Sequence, residues 1–310
     1  MNLEATAAGL TRVSAKQPGC DDVTVTFEGV LRAHFTTAKT QVCLLDTKTY
    51  GEVLFMDGTV QSSQADEALY HEALVVPALC ARPDDNIGDV LILGGGEGCV
   101  AREVLKWGAR SITQYDHDEE FVRWARHGLV HWNNGAYMDT RMKVHTESAE
   151  VVVEDHSKYD VIFVDLFDPD SSSVDWFYKL LLGCVGKLRA GGVLAAYIGD
   201  APRGPADVGV DIVLRIEEAL GDDARVLPYR FYIPSFYGEA CFVFVSVDGT
   251  MPAVGDVRPG ASARQAPQDD QKAPQFIDEV SWVRACTWGF DPSPAFNKMS
   301  ERYVSFLADF

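Results

Sequence analysis

Basic residues are scarce in this chain. Lysine and arginine number 27 against 46 aspartates and glutamates, a formal net charge of −19 over 310 residues. Nucleic acid is therefore excluded as a partner, because phosphate recognition needs a basic surface. A cationic ligand, by contrast, would be drawn in by such a field. Cysteine pairs at metal-binding spacing are also missing. Cys20, Cys43, Cys80, Cys99, Cys184, Cys241 and Cys286 form no C-x-x-C, which argues against a thiolate zinc site and for free thiols in a reducing, cytoplasmic setting. No apolar run approaches the ~20 residues of a membrane span. Met1 to Gln17 lacks a basic segment followed by an apolar one. Neither a membrane anchor nor a signal peptide is expected.

What is present is ample core material, 47% hydrophobic residues. Met1 to about Asp22 reads as a soft tail. Val23–Phe27, Val42–Leu45, Val53–Met56 and Thr59–Gln61 read as strands, with a turn at Asp57-Gly58. Asp66 to Cys80 has a helical apolar face. Val90-Leu91-Ile92-Leu93 is a continuous apolar run of the buried parallel-strand type.

Alternation follows: helix 100–107, strand 112–115, helix 119–132, strand 142–144, a helix near Glu150, strand 161–164, helix 174–188 ending at Ala190-Gly191-Gly192, and strand 193–196. A hairpin of 225–227 with 241–247 closes the series. The fold class expected is α/β: a Rossmann-like, methyltransferase-type doubly wound sheet with a small N-terminal antiparallel β domain. The domains expected are 1–83, an N-terminal tail and β-hairpin domain; 84–249, a nucleotide-binding catalytic domain; and 250–310, a linker rich in Pro, Gly, Ala, Gln and Asp with a C-terminal packing segment.

Two motifs carry chemistry. Gly94-Gly95-Gly96-Glu97-Gly98 follows a buried strand and opens a helix, where backbone N–H groups and absent side chains admit a nucleotide. Asp116 arrives about 20 residues on, where a ribose-binding acid belongs. The spacing is G-x-G-x-G, unlike that of the dehydrogenases. Glu97 would repel a phosphate but attract the sulfonium or amine of an adenosyl-sulfonium compound. The second motif, Asp165-Leu166-Phe167-Asp168-Pro169, sits just past a strand at the carboxyl edge of the sheet, with two carboxylates able to enter one cleft.

These motifs form part of an ordered series. Tyr50-Gly51-Glu52, Asp57-Gly58, Gln61, Asp66-Glu67, Tyr70-His71-Glu72, the glycine loop, Asp116-x-Asp118, Asp165-x-x-Asp168-Pro169, Pro228-Tyr229 and Ile233-Pro234-Ser235-Phe236 together resemble the polyamine aminopropyltransferases, the spermidine and spermine synthase family. Glu97, Tyr70-His71-Glu72 and Ile233 to Phe236 most resemble the thermospermine synthase branch. The resemblance implies transfer of the aminopropyl group of decarboxylated S-adenosylmethionine onto a polyamine, with spermidine the expected acceptor and thermospermine or spermine the product. It implies no permanently bound cofactor, no metal and a homodimer.

By match, Asp165 is the catalytic proton acceptor, aided by Tyr70. Gln61, His71, Gly94, Gly96, Glu97, Gly98 and Asp116 would bind the co-substrate. Asp168, Phe236 and Tyr237 would line the amine site. Three positions depart from the family. Ser148, with Glu147 before it, stands where an acid usually binds adenine. Tyr197 replaces a glutamine at the amine site. Thr40, with Gln41 beside it, replaces an early glutamine. Two alternatives stay open: an amine N-methyltransferase using intact S-adenosylmethionine, and a non-catalytic relative.

Overall fold

Alternating side chains build the first layer. The computed structural model describes residues 1–17, 20–82, 87–200, 208–250, 252, 275–277 and 279–286. Strands β1 (Leu3–Ala5), β2 (Thr11–Gln17), β3 (Cys20–Thr36), β4 (Gln41–Thr47), β5 (Gly51–Met56) and β6 (Thr59–Ser63) form one six-stranded antiparallel sheet in chain order. The expected N-terminal tail is thus corrected: β1, β2 and the first residues of β3 lie within it. Val13 and Ala15 are buried while Arg12, Ser14 and Lys16 face out, the period-two pattern of a half-buried strand.

Helix α1 (Glu67–Cys80) crosses to the second layer, and almost all of it is buried. Then follow β7 (Asp89–Gly94), α2 (Cys99–Lys106), β8 (Ser111–Tyr115), α3 (Glu119–Gly128), α4 (Val130–Asn133), β9 (Met142–His145), α5 (Val151–Glu154), β10 (Tyr159–Asp165), α6 (Val174–Val185), β11 (Leu188–Asp200), α7 (Val208–Leu220), β12 (Arg225–Ile233) and β13 (Gly238–Ser246). The second sheet runs β12-β13-β11-β10-β7-β8-β9, parallel from β11 to β9, with β13 and β12 added antiparallel. Val90 and Ile92 join the core under α1 and α2, and Leu91 and Leu93 the core under α6 and α7. Burial of both faces explains the unbroken apolar run of β7.

Three further expectations are corrected. The helix expected over 119–132 breaks at Leu129 into α3 and α4. The helix expected to reach Leu188 stops at Val185. Leu188 to Gly192 already belong to β11, where a register shift against β10 absorbs the Gly191-Gly192 pair. Helix α7 had no counterpart in the sequence reading.

The expected domain boundary at residues 83–84 and the linker residues 253–274 lie outside the described residues, as do Trp288, Phe290, Tyr303 and Phe306. Before that last stretch, α8 (Glu279–Cys286) sets Trp282 edge-on against Tyr229 of β12, ring centroids 4.9 Å apart. No helix among the described residues is long and apolar enough to cross a membrane.

Candidate active site

The strand order reverses between β7 and β10, and their carboxyl ends lie side by side. Gly94 and Asp165 are register partners, and the Gly95 N–H donates to the Asp165 carbonyl at 3.0 Å. This is the switch point at which open α/β sheets bind ligands. Glycine is required here. A Cβ on Gly94, at φ +81°, would lie 1.9 Å from the Asp165 carbonyl oxygen, and one on Gly96 would lie 2.7 Å from Asp116 Oδ2. The buried Gln114 amide fixes the loop by donating to the carbonyls of Gly94 and Gly95 at 2.7 and 2.8 Å.

Glu97 extends from this loop to α1. His71 Nε2 meets Glu97 Oε1 at 2.8 Å, and His71 Nδ1 meets Glu67 Oε2 at 3.0 Å and the Glu67 carbonyl at 2.6 Å. Arg102 of α2 donates to both Glu67 oxygens, at 2.7 and 2.8 Å. Burial opposes charge on His71, but its bonds to Glu67 and Glu97 overcome this and lift the ring's pKa to about 10. Burial would also raise Glu67, yet His71 and Arg102 hold it down at about 2.

Asp165 lies on the other side of Glu97. The Tyr70 hydroxyl donates to Asp165 Oδ1 at 2.7 Å. Burial, then the charge on Glu97, pushes the Asp165 pKa up to about 7, against the lowering pull of His71 and the Tyr70 hydrogen bond. The Tyr70 ring packs against Tyr197, Phe236 and Phe242 at centroid distances of 5.5, 5.8 and 5.4 Å. The Tyr197 hydroxyl in turn donates to Asp168 Oδ1. Asp168 reaches the surface, but desolvation of its carboxyl raises its pKa against that bond. Burial raises Asp116, below Gly96, to about 6.

The arrangement is an acid-rich pocket edge walled by aromatic rings, suited to a cationic ligand. Donor atoms of His71, Glu97 and Asp165 lie within 4.8 Å of one another, as do those of Glu67, His71 and Cys99. A metal at either group would have to displace a proton from His71 and compete with Arg102 for Glu67.

A family model described as the spermine/spermidine synthase domain matches residues 67–252, from the start of α1 through β13. The chain belongs to that family. It is 37% identical over 219 residues to a polyamine aminopropyltransferase of Pyrobaculum calidifontis, covering 67% of this chain and 72% of the relative. It is 32% identical over 250 residues to polyamine aminopropyltransferase 1 of Hyperthermus butylicus, covering 77% and 82%. Its fold is that of the spermidine synthase of Thermotoga maritima, at a TM-score of 0.71, 20% identity and 97% coverage of each chain. A spermidine synthase crystallised with the transition-state analogue AdoDATO is similar at 0.74, with 20% identity and 97% coverage of each chain.

Within this synthase-family frame the residues singled out in the sequence divide. Tyr70, His71, Gly94, Gly96, Glu97, Gly98, Asp116, Asp165, Asp168, Tyr197 and Phe236 gather at the switch point. Tyr237 turns away from Phe236, with positive φ, and packs edge-on to Phe27 and Tyr50 of the first sheet and its turn, each at 6.2 Å. Gln61 lies exposed on β6. Glu147 and Ser148 are exposed beyond β9, Glu147 3.8 Å from His145 and Ser148 3.3 Å from Glu150. Gln41 is engaged by the N-terminal amine at 2.8 Å and by His34 at 3.2 Å.

Three residues given no role in the sequence reading prove structural to the synthase-family site. They are Glu67, Gln114 and Asp66, whose carboxylate accepts from the Ser235 N–H and hydroxyl at 2.6 and 2.8 Å and so seats the turn carrying Phe236. A polar residue at an otherwise apolar strand position was the available signal for Gln114.

Proposed function

We propose that this protein transfers the aminopropyl group of decarboxylated S-adenosylmethionine onto a polyamine, releasing 5′-methylthioadenosine. The observation that supports this most directly is the Tyr70–Asp165 pair beside Glu97. A polyamine amine is protonated at neutral pH, its pKa being about 10, and must lose a proton before it can attack. A carboxylate whose pKa is pushed up to about 7 takes that proton more readily than an ordinary aspartate does. The nitrogen lone pair then forms a bond to the aminopropyl carbon on sulfur. The C–S bond breaks, and its electron pair stays on sulfur as the neutral thioether. The product leaves as an alkylated ammonium, protonated at neutral pH, and Asp165 releases to solvent the one proton it took before the next turnover.

In this reading Glu97 holds the ammonium of the donor, Asp116 the ribose hydroxyls, and the glycine backbone the rest of the nucleoside, with Gln61 and either Glu147 or Ser148 toward its outer side. Asp168, oriented by Tyr197, holds the acceptor chain between Phe236 and the Tyr70 ring, with Tyr237 farther out. The acceptor in this reading is spermidine and the product thermospermine or spermine, on the likeness of Tyr70-His71-Glu72, Glu97 and Ile233 to Phe236 to that branch. A homodimer belongs to the same reading. The free thiols at Cys43, Cys80, Cys99, Cys184, Cys241 and Cys286 support a reducing, cytoplasmic setting.

The test is Asp165→Asn. Transfer to spermidine should be lost while calorimetry still reports 5′-methylthioadenosine binding, and retained turnover would remove Asp165 as the proton acceptor. Chromatography that separates spermine from thermospermine reads which nitrogen is alkylated.

A further inference from the structure

The geometry points to Glu67 as a positioning residue: clamped by Arg102, it fixes His71 as a doubly protonated imidazolium whose Nε2–H orients the Glu97 carboxylate toward the donor's ammonium. The inference rests on the aminopropyl-transfer reading of the pocket and adds a residue that never touches the donor.

The hydrogen-bond inventory carries it. His71 is 1% exposed, and both ring nitrogens face oxygens that only accept: the Glu67 carbonyl and Oε2 on one side, Glu97 Oε1 on the other. A neutral ring has one N–H, so its second nitrogen would set lone pair against lone pair inside the protein. Proton sharing from Glu67 cannot relieve that conflict, because two Arg102 nitrogens hold its carboxylate ionised. His71 faces Glu67 and Tyr70 on α1, Glu97 on the glycine loop, Asp165 at the end of β10 and Cys99 on α2. Behind Glu67, Arg102 also meets Glu103 at 2.8 Å, and Lys106 meets Glu103 at 2.7 Å. Charge therefore alternates inward from the helix surface: Lys106, Glu103, Arg102, Glu67, His71, Glu97.

The His71 contact uses Oε1 of Glu97, and among the described residues no hydrogen bond engages Oε2. A carboxylate pinned through one oxygen presents the other in a fixed direction, which lowers the ordering cost of binding an ammonium. The imidazolium also screens Glu97 from Asp165, so the two acids can stand side by side.

The test has one arm that needs no activity. In protein labelled with ¹⁵N-histidine, with His71→Gln used to assign the signal, both His71 nitrogens should read as protonated at about pH 8.5, two units above an ordinary histidine. A neutral His71 ring there overturns the inference whether or not any variant folds, and leaves the transferase reading standing. In Glu67→Gln the His71 midpoint should fall by at least about one pH unit. The donor KM should rise about ten-fold, while affinity for 5′-methylthioadenosine, which lacks the aminopropyl ammonium, stays within about two-fold. Equal loss of donor and methylthioadenosine binding overturns the positioning role. Arg102→Lys, which keeps the charge, should leave His71 protonated; a neutral ring in that variant also counts against the clamp. A wild-type protein with a charged His71 and no aminopropyl transfer removes the functional reading, and Glu67's role with it.

Discussion

Replacing Tyr70 by phenylalanine removes one oxygen and little else. The Tyr70 ring is buried against three aromatic neighbours, so phenylalanine keeps the packing. What disappears is the 2.7 Å hydrogen bond to Asp165 Oδ1. A hydrogen bond to a charged group contributes about 1.5–3 kcal/mol, and it favours the ionised form, which corresponds to ~1–2 pKa units. Asp165 would move from about 7 in the native protein to about 8–9 in the variant. Transfer requires the ionised carboxylate, so activity is lost as pH falls through this pKa, and the variant should lose it earlier on the way down. At pH 7 the slowing should be about ten-fold, and most of it should vanish above about pH 9. The assay is the pH profile of kcat/KM for the acceptor, with product read by chromatography. An acid limb that does not move, or an equal slowing at every pH, would refute Asp165 as the group that Tyr70 tunes.

Three other substitutions follow from the same geometry. The raised pKa of Asp165 means that the unfolded chain releases this proton first, so its contribution to stability falls as pH rises from about 4 to about 7. Asp165→Asn should therefore be more stable than the native protein at pH 8 by roughly 2–4 kcal/mol, a gain that fades toward pH 4 in chemical denaturation. Gly96→Ala places a Cβ 2.7 Å from Asp116 Oδ2 and 2.9 Å from the Phe121 ring, and should weaken 5′-methylthioadenosine binding by at least ~10-fold in calorimetry. Tyr197→Phe leaves Asp168 without its donor, and should raise the acceptor KM by about 3- to 10-fold with the donor KM unchanged.

The sequence carried the parallel sheet because its strands are buried on both faces and read as apolar runs, and because the glycine loop, Asp116 and Asp165 fall at strand ends in a fixed order. It carried less where local signals conflict with tertiary context. Ala190-Gly191-Gly192 looks like a helix stop and turn, but β11 runs through it by shifting register against β10. The alternation over Thr11 to Gln17 was legible yet short, and pairing with the long β3 makes it a strand. At the site, the residues that carry charge could be chosen by type, whereas those that aim the charge could not. Glu67 is one helical turn from His71 and is anchored from α2; that link exists only once α1 packs on α2. Asp66 likewise gains its meaning from Ser235, distant in sequence and brought in by β12. Phe236 and Tyr237 look interchangeable in the chain, and a left-handed residue at Tyr237 sends its ring to the first sheet while Phe236 packs on Tyr70 of α1.

The most direct measurement is the mass of the product formed from spermidine with decarboxylated S-adenosylmethionine and, separately, with the intact compound. The account predicts a tetraamine larger by one aminopropyl unit, formed with the decarboxylated donor together with an equal amount of 5′-methylthioadenosine. A methylated amine, or no transfer to any polyamine by folded protein that binds the nucleoside, would contradict it.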